Sequence, residues 1–383
     1  MPGSDLYRRI TTVIALRRHH SLRSMRVVKG IAALALTLLT AQAHAQSMNR
    51  NNACENIEHA DHPKATLSNG KLTVVIFLPD AKNGYYRSTR FDWAGIIPCV
   101  SLNGHRFFGE WFVGAYDPMR NDAVVGPAEE FRIDDGVLGH YPANSPLLTI
   151  NSQAIGYDEA KPGDAFLKPG VGILKKIDDQ PYSPHTIFPI LDGGTWTTSK
   201  TSPTSITFRQ VLKGREGWAY VYEKTLTLDA NGTGLTLEHS LRNTGQKVID
   251  TKVYDHDFIT LDGQSVGTDI VIRFPFVPKP SVPLDPSLKI EGKELHFAKA
   301  LDAGQVASVY YTGYSDRVSD YDITVENVRT KVGLEQTSDM PISRAYFWTN
   351  GKAIGPETYI HVPVEPGKTT HWKLHYRFFA PPA

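Results

Sequence analysis

Residues Leu235 to Arg242 show the pattern that governs most of this chain. Leu235, Leu237 and Leu241 fall on one face of an extended segment, and Thr236, Glu238, Ser240 and Arg242 fall on the other. Such a strand buries one face and wets the other. Just upstream, Trp218, Tyr220, Tyr222, Leu226 and Leu228 are in phase, and Asn231-Gly232 supplies the turn that joins the two segments as a hairpin. Near the end, residues 357–364 and 370–379 flank the turn Glu365-Pro366-Gly367-Lys368, with Trp372, Leu374, Tyr376 and Phe378 in phase. This predicts a closing hairpin. From Leu67 onward short β-rich runs alternate with turn clusters, and no stretch carries a helical period, so the expected fold is all-β.

Residues 114–150 and 156–203 break the pattern. They hold many Gly, Pro, Asp and Asn residues and few alternating runs, which predicts long loops over one face of a β scaffold. No internal repeat and no low-complexity tract is visible, and no linker marks a boundary near residue 204. One domain is expected over residues 46–383.

The first 45 residues read as a leader. Arg26 and Lys29 precede an apolar run from Ile31 to Thr40, and Ala43-His44-Ala45 is a small-x-small cleavage site. The Arg- and His-rich residues 1–24 fit no export signal, so either translation starts at Met25 or the leader has a long charged front. The apolar run falls short of the ~20 residues a membrane helix needs. A periplasmic or secreted protein without a membrane anchor is therefore expected. Two cysteines, Cys54 and Cys99, lie near the mature start; in an oxidising compartment they are either bridged or two buried free thiols. The 41 basic side chains almost balance the 40 acidic ones. That speaks against a nucleic-acid surface and leaves small or neutral partners.

The segment Tyr222–Gly263 resembles the central region of aldose 1-epimerases (galactose mutarotases) and the related hexose-phosphate epimerases. Leu241, Asn243, Thr244 and Gly245 match the end of one strand, and His256 with Phe258 matches the histidine-aromatic pair of the next. Tyr346–Phe378 is similar to the family's closing segment, with Glu357 in the place of the glutamate beside the sugar. The resemblance implies a large antiparallel β supersandwich with a sugar or oligosaccharide in a groove across one sheet. It further implies cofactor-free acid-base chemistry, with His256 as acid and Glu357 as base. An early arginine that touches the sugar is also implied, and both Arg87 and Arg90 fit.

The residues themselves bear on these roles. Opening a hemiacetal ring needs a base for the anomeric hydroxyl and an acid for the ring oxygen, and a carboxylate and an imidazole suit them. Alternation places Tyr254, His256 and Phe258 on one face and Asp255 and Asp257 on the other. The histidine either lines a sugar site or is a core histidine bonded to a neighbour. Glu365, the other candidate for the base, sits in a turn where carboxylates are usually solvated. Arg87, Arg90 and Asp92 lie among Tyr85, Tyr86, Phe91 and Trp93, either as a sugar-binding wall or as a salt-bridged strand. Lys168, Tyr182, His185, Glu129 and Glu130 come from loops able to line a groove or merely anchor it. His185, His140 and His105 are candidates for the second histidine that the family carries. No metal is expected, because the histidine of Asp255-His256-Asp257 points away from both aspartates. No nucleophile elbow, phosphate-cradling glycine loop or C-x-x-C pair occurs. Two other functions fit the same scaffold: a glycan-binding module without turnover, and a lyase or glycosidase pairing Glu129 or Glu130 with Glu357.

Overall fold

In the computed structural model, described for residues 52–134, 152–302 and 304–382, the alternating runs pair into two large sheets. The leader expected over residues 1–45 lies outside the described residues, as does His140. The larger sheet has ten strands. Its centre is built by Ser205–Arg215, Trp218–Leu228, Gly234–Asn243, Thr369–Phe379 and Val332–Ser338, in that spatial order and antiparallel throughout. The smaller has six, in the order Lys279–Pro280, Val306–Thr312, Arg344–Asn350, Ile354–Val364, Ile249–His256 and Ala128–Phe131. Tyr220, Tyr222, Leu226, Leu235, Leu237 and Leu241 of the first sheet share one buried cluster with Val253, Phe347, Ile360, Val362 and Val364 of the second. Burying these inward faces against each other is what holds the sandwich together.

The other face of the six-stranded sheet is covered as well. Phe77, Tyr85, Tyr86, Phe91, Trp93, Trp111 and Phe166 belong to a second buried cluster that also takes in Phe258. The polar side chains of that sheet face therefore lie beneath an aromatic layer, away from bulk water.

Two expectations are corrected. The closing hairpin does not form: Ile354–Val364 pairs with Ile249–His256 and Arg344–Asn350, whereas Thr369–Phe379 pairs with Gly234–Asn243 and Val332–Ser338. The turn at Gly367, with φ 76°, carries the chain from one sheet to the other. Alternation reports which side chains point inward, and two strands on opposite walls of one core satisfy it as well as neighbours do. Residues 156–203 are not loop alone. They include Ala165–Lys168, Gly172–Lys175 and Ile190–Asp192, which form a small sheet, and Thr195–Ser202 at the edge of the ten-stranded one. Ala165–Lys168 is buried at every position and Thr195–Ser202 is mostly exposed, so neither alternates.

Cys54 and Cys99 form a disulfide. It closes a loop of 45 residues and ties the segment before the first strand to Ile96–Leu102. In the chain-entropy account such a loop restrains the unfolded chain by about 4 kcal/mol. The Cys54→Ser/Cys99→Ser variant should therefore unfold at markedly lower temperature in a calorimetric scan, and an unchanged midpoint would contradict this.

Candidate active site

Two adjacent strands of the six-stranded sheet bring His256 and Glu357 together. Ile249–His256 runs antiparallel to Ile354–Val364, and side chains alternate across the sheet, so Tyr254, His256, Glu357 and Tyr359 share the covered face. His256 Nε2 lies 3.1 Å from Glu357 Oε1, with side-chain exposures of 4% and 3%. The imidazole stacks on Phe258 at 3.6 Å between ring centroids, and Phe258 stacks on Trp111 at 4.3 Å. Trp348 meets the imidazole edge-on. Phe258 takes φ 44° as the chain leaves the strand, an uncommon conformation for a bulky residue. On the remaining side Gly355 is required, because a Cβ there would sit 2.9 Å from His256 Nδ1. Burial, followed by the charge of Arg90, holds the His256 pKa well below the usual imidazole range, so the ring is neutral at pH 7.

A buried charge cluster shares this face, centred on Glu130. Its carboxylate accepts from Arg90 Nε (2.9 Å), Arg132 Nη1 (3.2 Å), Lys168 Nζ (2.9 Å) and the Tyr254 hydroxyl (2.6 Å). Lys168 also donates to the Tyr182 hydroxyl at 2.8 Å. Arg90 reaches on to Asp122 at 2.5 Å, and Arg132 donates to the Tyr359 hydroxyl. Burial alone would raise the Glu130 pKa, but the charges of Arg132, Lys168 and Arg90 outweigh it and hold the carboxyl well below its usual range. Burial pushes Lys168 down to about 8, with Glu130 opposing. Arg90 lies over Phe91, whose ring meets His256 edge-on, so the two groups are contiguous.

Of the side chains singled out in the sequence, His256, Glu357, Arg90, Tyr254 and Lys168 come together here. His185 sits at the margin, half exposed, with Nδ1 3.3 Å from Asp122. Arg87 and Asp92 lie elsewhere. The charge of Arg87 acts on Tyr116 and Asp80, and Asp92 faces the inter-sheet core, where it accepts from Tyr222 (2.9 Å) and Lys224 (3.2 Å). Glu129 points the same way as Asp92, 2.8 Å from His239 and in contact with Lys224. His105 pairs with Asp262 at 2.8 Å, and Glu365 is exposed. Asp255 and Asp257 are fully buried toward the ten-stranded sheet, where both carboxyls lie within hydrogen-bond distance of the Tyr376 hydroxyl. Among the described residues, no cluster of three or more His, Cys, Asp or Glu side chains is arranged to hold a metal ion.

Sequence reading missed Arg132, Tyr359, Trp348, Trp111 and Asp122. For three of these a signal existed. Arg132 follows Glu130 by two residues, as Tyr359 follows Glu357, and Trp348 lies on a strand whose apolar face is Ala345 and Phe347. Trp111 and Asp122 come from irregular segments, where no periodicity indicates direction.

No protein-family model matches the chain, and no curated protein matches it by sequence. Solved structures do match. The Slr1438 protein from Synechocystis sp. PCC 6803 is 11% identical with a TM-score of 0.50, over 85% of this chain and 99% of that one. A galactose mutarotase-like protein from Clostridium acetobutylicum is 10% identical with a TM-score of 0.50, over 85% and 98%. A GalM/aldose epimerase homologue from C. elegans is 11% identical with a TM-score of 0.47, over 83% and 98%. At such identities the likeness is one of fold, and this chain has the antiparallel β supersandwich of galactose mutarotase-like proteins.

Proposed function

We propose that this protein is an exported sugar epimerase that interconverts the anomers of an aldose or an oligosaccharide without a cofactor. The observation that carries the reading is the approach of His256 Nε2 to Glu357 Oε1, 3.1 Å apart on adjacent strands of one sheet. Glu357 takes the proton of the anomeric hydroxyl while protonated His256 gives one to the ring oxygen, and the C1–O5 bond breaks. Rotation about C1–C2 and the reverse transfers give either anomer. An imidazolium whose pKa is held low by burial is a stronger acid for that oxygen, though only a small fraction is protonated at neutral pH. Trp111 and Trp348 offer apolar surfaces suited to the C–H face of a sugar ring. As it stands the pair is closed, with the imidazole and carboxylate in contact, so a sugar must part them on entry.

Two observations bear on the alternatives and on location. A lyase or glycosidase needs a second free carboxylate near Glu357, but Glu130 is committed to Arg90, Arg132 and Lys168, and Glu129 faces the opposite side of the sheet. The Cys54–Cys99 disulfide supports an oxidising compartment, in line with the export leader. The test is anomer exchange measured by polarimetry and magnetisation-transfer NMR on a panel of aldoses. Exchange above the buffer rate is expected for at least one. A folded protein that accelerates none, yet binds glycans, would replace this reading with that of a binding module.

A further inference from the structure

We infer that Asn231 is a modification site, at which the Gly232 amide nitrogen and then water convert the asparagine to an isoaspartyl residue, with Lys71 directing the product. In the first step the Gly232 nitrogen attacks Asn231 Cγ, a C–N bond forms and ammonia leaves, which closes a five-membered imide. Water then opens the ring. Entry at Cγ breaks the new bond and gives aspartate. Entry at the α-carbonyl breaks the original peptide bond instead and routes the chain through the side chain, giving isoaspartate. One water is consumed and one ammonia released, and nothing is oxidised or reduced.

The chain carries five Asn-Gly pairs, and in each the glycine has no side chain to shield its nitrogen. The fold restrains four of them. Asn69 donates from its side-chain amide to Asp229 O (2.6 Å) and Gly232 O (3.1 Å), and accepts from the Lys71 and Leu72 N–H groups. Asn103, at φ 53°, donates to Pro381 O at 3.0 Å. Asn350 accepts from the Lys352 and Ala353 N–H groups, both at 2.8 Å. At Asn83 the nucleophile is held instead, because Gly84 is buried and its N–H donates to Asp80 O at 2.9 Å. Asn231 differs on both counts. It is exposed, and among the described residues neither its side chain nor the Gly232 N–H makes a hydrogen bond.

The product follows from what grips this turn. Lys71 Nζ donates to Asn231 O at 2.7 Å. The ammonium therefore polarises the α-carbonyl, which is where water must enter to give isoaspartate. The same oxygen becomes part of the free carboxylate of that product, so the hydrogen bond turns into a charge-assisted one. Asn69 holds Asp229 O and Gly232 O on either side, which keeps the turn in place while its middle reacts.

The test holds the full chain folded at pH 8, digests samples with trypsin and follows the peptides by mass spectrometry, with isoaspartate read by its specific enzymatic methylation. The peptide Thr225–Arg242 contains Asn231 as its one asparagine. It should take up the amide-to-acid mass change severalfold faster than the peptides carrying the other four pairs, mostly as isoaspartate. In urea the five rates should converge, because the fold is what separates them. Lys71→Met, a change at an exposed side chain, should shift the product toward aspartate. Equal or faster conversion at another Asn-Gly pair of the folded chain, or a lead of Asn231 that survives in urea, would overturn the selection by the fold. An unchanged product ratio in Lys71→Met would overturn the role of Lys71. His256 and Glu357 take no part, so the epimerase reading stands or falls separately.

Discussion

Glu357→Gln should lower the anomer-exchange rate by roughly 10²- to 10⁴-fold, the usual contribution of a positioned proton-transfer group, and leave KM nearly unchanged. Glutamine has the shape of glutamate, and its carbonyl oxygen can still accept from His256 Nε2, so the fold and the sugar contacts persist while the base is lost. His256→Asn should cost a similar factor, and the double variant little more, because the two groups act on one proton transfer. The pH profile adds a sign. The acid is the protonated imidazole, and burial with the Arg90 charge keeps its pKa well below the usual range. Its protonated fraction therefore grows about tenfold for each pH unit removed between pH 8 and 6.5. Exchange should accelerate across that interval in the wild type and stay flat in His256→Asn. A Glu357→Gln rate within threefold of wild type would remove the base, and with it the mechanism.

How much of this was legible from the chain depends on periodicity. Where one face is core and the other wet, as from Leu235 to Arg242, alternation gave both the strand and its inward side chains. It also separated His256 from its flanking aspartates. Periodicity failed where both faces are buried, as at Ala165–Lys168, and where few side chains are apolar, as at Thr195–Ser202. It is silent on which strand lies next to which, and the expected closing hairpin turned out to span two sheets. The meeting of Glu357 with His256 came from resemblance to a family, since a contact between residues so distant in sequence leaves no local trace. Arg132 was within reach, because Glu130-x-Arg132 places both side chains on one face. The destination of Asp255 and Asp257 was not: a carboxylate opposite a site face ordinarily meets water, and only a second sheet carrying Tyr376, Gln336 and Lys224 makes it an interior group.

Those aspartates give the other large expected effect, a fall in stability between pH 6.5 and 8. Burial, followed by the nearby Glu129, pushes Asp255 up to about 8 despite Lys224, and burial with Asp255 beside it holds Asp257 well above the carboxylate range. Tyr376 lies between them, and Gln336 donates to its oxygen at 2.6 Å. A group whose pKa is raised in the fold binds its proton more tightly there than in the unfolded chain. Its stabilisation is complete below the unfolded value of about 3.9 and is lost as pH rises toward the folded one. While both keep their protons in the fold alone, each pH unit costs about 1.4 kcal/mol per group. Other groups act outside this window. His256, held low, weakens the fold only where the unfolded imidazole charges, below about 6.5. Glu129 and Glu130, also held low, matter below about pH 5, and Lys168, pushed down to about 8, acts above that value. Urea unfolding of the wild type should therefore show a midpoint that drops steadily from pH 6.5 to 8. Asp257→Asn copies the protonated acid in shape and hydrogen bonding without a titrating proton. It should lessen the slope and be more stable than the wild type at pH 8. An equally steep variant, or a wild type that is flat across the interval, would mean that the core aspartates are ionised and held by Lys224 and Tyr376 alone.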